Sequence, residues 1–267
     1  MSPIYTLGKL VLKKEFTWNE TVWNPSMIST ALWLDAADSS TVTTVSGAVS
    51  QWSDKSGNGR DASQPTSSNR PSYETATLNG KAVLGFNGTN SWIRTTSFAL
   101  SQPVSYFIVC KSNKTTGSSG DRSYVFDGFN VINSALGRHL FALYGDSTGF
   151  NSIYGGSWLS SGAAITTNPL IGSLVFNDAT SRASINGGTS SAVGGAGANS
   201  LTQGLTIGVN YLNNGDWLNG QVAEFIVVAS DVSIDIRQKT EGYLAHKWGL
   251  TASLPGGHPY KTVGPTP

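Results

Sequence analysis

From residue 31 onward, short apolar and β-branched runs recur at close intervals: "ALWLDA", "AVLGFNG", "SWIRTT", "VSYFIVCKS", "SYVFDGF", "HLFALYG", "NPLIGSLVFN", "RASINGG", "LTIGVNY" and "QVAEFIVVAS". Between them sit clusters of Gly, Ser, Asn and Asp such as "NKTTGSSGDR" and "SAVGGAGANS", residues that reverse a chain because they tolerate positive φ or bond their own backbone. Runs this short, bounded this way, predict strands, and ten of them predict an all-β chain folded as a two-sheet antiparallel sandwich. Charged residues make up 12% of the chain and glycines number 31, against a usual charged quarter. The surface is therefore polar through uncharged Ser, Thr and Asn, which favours strands and turns over long helices.

Two segments depart from this pattern. Residues 1–28 alternate apolar and polar residues in "YTLGKLVLKKEF" and then carry two Trp among turn formers in "TWNETVWNPS". They read as an N-terminal docking arm ahead of a main domain at 29–267. An amphipathic strand without a sheet needs partners for its backbone groups, so Leu10, Leu12, Phe16, Trp18 and Trp23 are its candidate contacts. Near the other end, Ile236, Thr240, Tyr243, Leu244, Lys247 and Trp248 share one stripe at helical spacing, which predicts a helix over 233–248. Ser233 is placed to cap it, Asp235 suits its positive end, Gly249 follows as a left-handed stop, and Arg237 with Glu241 forms an i,i+4 pair.

Seventeen basic residues against sixteen acidic ones give a net charge of +1 without charge runs, so neither nucleic acid nor an anionic membrane is an expected partner. No apolar run approaches a membrane span, and no secretory leader is recognised at the N-terminus. The single Cys110 lies in an apolar run and reads as a buried, inert thiol. Asn19, Asn87 and Asn113 begin N-x-S/T sequons that a Ser/Thr/Asn-rich composition produces by chance.

Three segments taken in order, "LWLDAADSSTV", "VSQWSDKSGNGRDASQ" and "VLGFNGTNSWI", followed by "LTIGVNYLNNGDWLNGQVAEFIVVAS" and the ending "EGYLAHKWGLTASLPGGHPYK", resemble the concanavalin A-like, laminin-G-like jelly-roll domains found in bacterial and phage surface proteins. The resemblance covers about residues 31–261. It implies a two-sheet jelly-roll sandwich with a curved and often ligand-binding face, and its ending is similar to phage-encoded versions. Fold alone does not assign function.

The loop "SQWSDKSGNGRDASQ" admits two readings. Asp54 and Ser56 can bond local N–H groups while Gly57 and Gly59 supply positive φ beneath a core Trp52. Alternatively Asp54, Asn58 and Asp61 offer hard oxygens to Ca²⁺, though three side chains are a thin set for six to eight ligands. The structural turn is the preferred reading, with no cofactor expected and Ca²⁺ the alternative. Asp35 and Asp38 in "LDAAD" read as turn or cap residues before they read as a glycosidase carboxylate pair. The strand motif of laminarinase-type sandwich hydrolases is missing, Glu224 in "VAEFIVVA" standing alone, and His139, His246 and His258 lack the partners of a serine triad or a zinc site. The aromatic stretches "NSIYGGSWLSSG" and "NYLNNGDWLNG" are read as loops, in which Tyr154, Trp158, Tyr211 and Trp217 sit among Asn214, Asp216 and other polar groups. Aromatic faces beside amides and carboxylates suit sugars, and these six residues are the candidate glycan-binding set; the other reading makes Tyr211 and Trp217 buried strand residues and packs Trp158 under its own loop.

The expectation drawn from all this is a non-enzymatic phage virion protein, a head decoration or tail knob at the virion surface, anchored by its arm to other virion proteins or to copies of itself and holding glycans. A carbohydrate-active enzyme, for which Asp35, Asp127, Asp216 and Glu224 supply the carboxylates, and a bacterial surface adhesin stand as the alternatives.

Overall fold

The computed structural model describes residues 22–114, 122–129, 137–143, 150–188 and 193–267. Its strands are β1 (Leu32–Asp35), β2 (Val42–Val45), β3 (Ala48–Trp52), β4 (Ala62–Ser63), β5 (Ser72–Leu78), β6 (Lys81–Asn87), β7 (Ile93–Thr95), β8 (Val104–Ser112), β9 (Ser123–Gly128), β10 (Leu140–Leu143), β11 (Phe150–Tyr154), β12 (Trp158–Ala164), β13 (Leu170–Phe176), β14 (Ser181–Ile185), β15 (Val193–Gly194), β16 (Leu205–Ile207) and β17 (Asn219–Val228), and its one α-helix among the described residues is α1 (Ile234–Trp248). All described pairings are antiparallel. They fall into two runs: a back sheet β15-β14-β13-β8-β17, whose far edge is shared by β1 and β6 with β5 beyond, and a front sheet β2-β3-β4-β7-β16-β9-β10-β11-β12. One bridge, Ala48 to Ser72, joins the runs.

The predicted sandwich is the observed one, and the ten expected runs all supply strands. The seven remaining strands carry weaker signals. β2 and β5 are largely exposed and polar, and "NSIYGGSWLSSG" is not a loop but the hairpin of β11 and β12, turning at Gly155–Ser157. Its Ser and Gly content masks it: Ile153 and Leu159 face the core while Tyr154 and Trp158 stand opposite each other on the other face.

The main core fills the space between the sheets, with Trp52, Tyr106, Phe126, Phe141, Phe176 and Phe225 fully buried there. A second apolar layer lies outside the back sheet, where Phe107, Val109, Ile171 and Ile226 meet Leu244, Ala245 and Trp248 of α1. The helix begins and ends as expected. The Ser233 hydroxyl accepts from the N–H of Ile236, and Gly249 takes φ 72°, a conformation that costs residues with a Cβ. Cys110 is buried in the main core, and burial pushes its thiol pKa up.

Of the expected arm, Leu10, Leu12, Phe16 and Trp18 lie outside the described residues. Trp23 is described, and it is not an exposed anchor: it is 2% exposed, its N–H donates to Pro265 O at 3.1 Å, and its ring meets Tyr243 of α1 edge-on at 6.1 Å. This indole packs on its own chain because α1 leaves an aromatic shelf beside the C-terminal tail. Among the described residues no helix is long and apolar enough to cross a membrane.

Candidate functional site

The register of the front sheet lines up one continuous transverse row. Ser63 stands opposite Arg94, Arg94 opposite Thr206, Thr206 opposite Asp127, Asp127 opposite Leu140, Leu140 opposite Tyr154 and Tyr154 opposite Trp158. The next row, Ile93, Ile207, Phe126, Phe141, Ile153 and Leu159, belongs entirely to the main core. Because side chains alternate across a sheet, the first row must face away from that core. A bulge in β9 leaves Val125 and Phe126 both on the core side. It sets Tyr124 on the outer face with Asp127, and Tyr124 forms a small cluster there with Leu140, Ala142, Tyr154 and Trp158.

This outer face is built around a buried ion pair. Both Asp127 oxygens accept from Arg138, Nε at 2.9 Å and Nη2 at 2.6 Å, and the Tyr211 N–H donates to the same carboxylate at 2.9 Å. Asp127 is fully buried, and that desolvation pushes its pKa up to about 6 in spite of Arg138. The bidentate pair fixes the guanidinium 4.2 Å from the Tyr211 ring centroid and 5.6 Å from that of Tyr154, where cation–π attraction adds to the hydrogen bonds. Tyr154 and Trp158 lie 5.2 Å apart, and the Arg122 guanidinium stands 5.3 Å over Trp158.

The loop at 208–218 crosses the row and carries the second aromatic set. Asn210 organises it: its amide Nδ2 donates to Asn214 Oδ1 and Asp216 Oδ2, and its Oδ1 accepts from the N–H groups of Leu212 and Asn214. The Asp216 carbonyl accepts from Tyr124 N–H at 2.9 Å, which ties the loop to β9. The structure thus brings Tyr154, Trp158 and Tyr211 to one face with Asn214 and Asp216 on the bordering loop, and Trp217 is partly buried at the end of that loop. Sequence reasoning missed Arg94, Arg122, Arg138, Tyr124 and the hub Asn210. None carries a local signal, since Arg138 meets Asp127 across two strands and Tyr211 only through the returning chain.

The other carboxylates named for an enzyme lie on the opposite side of the sandwich. Asp35 and Glu224 face each other on β1 and β17 beneath α1. Glu224 accepts from Trp33 Nε1, Tyr243 Oη, Lys247 Nζ and Trp248 Nε1 at 2.7–3.0 Å, and Asp35 takes Lys247 and Lys55. Burial raises the Glu224 pKa against the pull of Lys247, with Asp35 adding to the rise. With its lone pairs occupied and no exposure, this cluster is a clamp holding helix to sheet. Asp38 caps the turn at Ser39–Thr41 and pairs with Lys55.

The 50–64 loop is likewise tied. Asp54 accepts from the N–H groups of Trp33, Ser56 and Arg60 and from Ser56 Oγ. Asp61 accepts from Asp54 N–H and Gln51 Nε2, and Asn58 Nδ2 donates to Thr30 O. Every carboxylate oxygen of the proposed Ca²⁺ set serves an N–H or O–H donor, and Gly57 and Gly59 take positive φ. No cluster of three or more His, Cys, Asp or Glu suited to a metal occurs among the described residues. His139 is held between Tyr106 Oη and Asn199 O and stacks on Phe176, while His246 and His258 bind Tyr260 O and Glu241. Two cavities of about 500 and 340 Å³ flank the start of α1 and share no residue with the aromatic row. The arginines lining the second, Arg182 and Arg237, already hold Asp231 and Glu241.

No family model and no curated protein sequence matches the chain. Solved structures do. A Trypanosoma rangeli sialidase in complex with sialic acid matches with a TM-score of 0.56 at 12% identity, over 82% of this chain and 33% of that one. Botulinum neurotoxin type C, whose cell entry depends on interaction with two ganglioside molecules, matches at 0.52 and 15% identity, over 78% and 50%. An arabinofuranosidase complexed with arabinofuranosyl-α-1,2-xylobiose matches at 0.52 and 16%, over 73% and 50%. The chain spans half or less of the length of each, and at these identities the likeness is one of fold: a β-sandwich. It corrects the expectation of a non-enzymatic virion protein. The matched chains include glycosidases, so the sandwich gives no ground for setting catalysis aside, and nothing in them points to a virion.

Proposed function

We propose that the chain is a carbohydrate-active β-sandwich that binds an oligosaccharide across the outer face of β9–β12 and the 208–218 loop. The observation that carries this reading is the gathering of Tyr154, Trp158 and Tyr211 around Arg138, itself fixed by Asp127. Aromatic rings offer flat apolar surface to the C–H faces of sugars, guanidinium and amide groups bond their hydroxyls, and a buried ion pair keeps both in place before ligand arrives.

Affinity electrophoresis against a panel of soluble polysaccharides tests this. The intact protein should be retarded by at least one of them, and Trp158→Ala or Tyr211→Ala should weaken retention about tenfold or more while the melting temperature stays within a few degrees. A protein retarded by none of them, or variants that bind as well as the parent, would reject the reading.

Hydrolysis of the bound glycan is the second reading. It is favoured by Asp127, whose pKa of about 6 keeps it protonated in mild acid as a general acid requires, with Asp216 on the adjoining loop. It demands that Arg138 swing off a wholly buried carboxyl, whereas binding demands no movement, so binding is the main reading. Release of reducing ends that disappears in both Asp127→Asn and Asp216→Asn would establish catalysis at this face.

A further inference from the structure

The row that carries Tyr154 and Trp158 reaches a second cation on β7. Arg94 lies on the same outer face, four strands from Tyr154, or about 19 Å at the usual strand spacing. Its guanidinium stands 3.7 Å from the Phe129 ring centroid and 4.7 Å from that of Trp92. Nε donates to Thr206 Oγ1 at 2.9 Å and Nη2 to Asn213 Oδ1 at 2.7 Å, both neutral acceptors.

Arg94 differs from its neighbour on this face. Arg138 has a bidentate carboxylate, whereas Arg94 has no carboxylate partner among the described residues. Desolvation acts on it unopposed and draws its pKa down to about 10. A partly buried charge without a counter-charge is costly to keep. Two of its five N–H donors are used, which leaves the Nη edge of a planar fork that matches a carboxylate in two parallel bonds. The side chain is partly exposed and Asn214, next to the Asn213 that Arg94 holds, is exposed, so solvent reaches this end of the face.

We propose that Arg94, with the Asn213 amide beside it, is a subsite for an anionic substituent of the glycan, a sugar carboxylate. This rests on the glycan-binding reading and narrows it: the face selects acidic over neutral oligosaccharides, with the charged sugar at the β7 end and neutral ring faces on Tyr154 and Trp158.

The test is isothermal titration of the intact protein with galacturonate, glucuronate and mannuronate tetrasaccharides, each beside its carboxyl-reduced neutral counterpart and a sulfated form of that counterpart. At least one uronide should bind tenfold or more tighter than its neutral counterpart. Arg94→Gln should bring that uronide down to the neutral level and leave the neutral affinity unchanged, and Arg94→Lys should recover part of the difference, keeping the charge but not the fork. Neutral sugars that bind as well as uronides, or an Arg94→Gln loss shared equally by both, would overturn the subsite while leaving the glycan reading intact. Preference for the sulfated form would overturn the carboxylate assignment. No binding of any saccharide by the intact protein would remove the glycan reading and this subsite together. Should Arg94→Gln fail to fold, Arg94→Lys, which keeps the charge and the aliphatic stem, carries the test: a uronide preference it leaves undiminished would overturn the subsite.

Discussion

Asp54 shows how much one carboxylate can organise. Four donors converge on it, three from Ser56 and Arg60 of the loop and one from Trp33 of β1, and hydrogen bonds to a charged acceptor are the stronger kind. Asp54→Ala strands three backbone N–H groups, and the expected cost is about 2–3 kcal/mol in urea unfolding. Added Ca²⁺ should leave the melting temperature of the parent protein unchanged, and a rise would restore the metal reading of this loop. The residue types of this turn were legible because Asp, Ser and Gly act on backbone within a few positions of themselves. Asp127 and Arg138 were not, since their pairing depends on strand register, and neither residue carries a local mark of it. Trp23 makes the same point: its aromatic character was plain, but whether it faced a partner or its own helix was decided by where α1 and the C-terminal tail come to rest.

At the level of elements, α1 was the most readable because its periodic stripe, cap and stop all agree. Its ending is also the most exposed to a single change. Gly249 has φ 72°, and an added Cβ would meet the Asn79 side chain at 3.0–3.2 Å, the same side chain that donates to Lys247 O. Gly249→Ala should therefore cost about 1–2 kcal/mol from the left-handed conformation, read as a lowered urea midpoint with an unchanged slope. An unchanged midpoint would mean that the chain finds another way to end the helix. The hairpin of β11 and β12 illustrates the opposite case. Its Gly- and Ser-rich sequence resembles a loop, and only pairing with β10 reveals that Tyr154 and Trp158 are strand partners on the outer face. The mostly exposed strands β2 and β5 escaped for the same reason, since without a buried face there is no hydrophobic alternation to read.

For the whole molecule, the layers run from α1 through the back sheet, the main core and the front sheet to the aromatic face, and two buried groups in the front half make stability depend on pH in opposite senses. Burial lowers the His139 pKa to about 4. The unfolded chain therefore takes up that proton first, and the stability held with neutral His139 is full above the ordinary value near 6.5 and is lost as pH falls toward 4. Asp127, raised to about 6, holds its proton better when folded, so its contribution grows as pH falls from 6 to 4 and declines as pH rises back through that range. The two effects oppose each other in the parent protein. His139→Gln removes one of them, so its destabilisation should be smaller at pH 4 than at pH 6.5 by as much as about 3 kcal/mol. An equal penalty at both pH values in urea titrations would show that His139 does not titrate as its burial implies.

The sequence by itself determined the class of the fold, the C-terminal helix with both its ends, the turn-forming residues of 50–64 and the aromatic residues from which a ligand face could be made. Those features rest on interactions within a few residues or on hydrophobic periodicity, which a linear chain displays directly. Tertiary structure alone decided which aromatics share a face, that Asp35 and Glu224 serve α1 while Asp127 serves the front sheet, and that Arg94 is left without a carboxylate among the described residues. These depend on register between strands far apart in sequence, and a shift of one residue would turn each of those side chains to the opposite face.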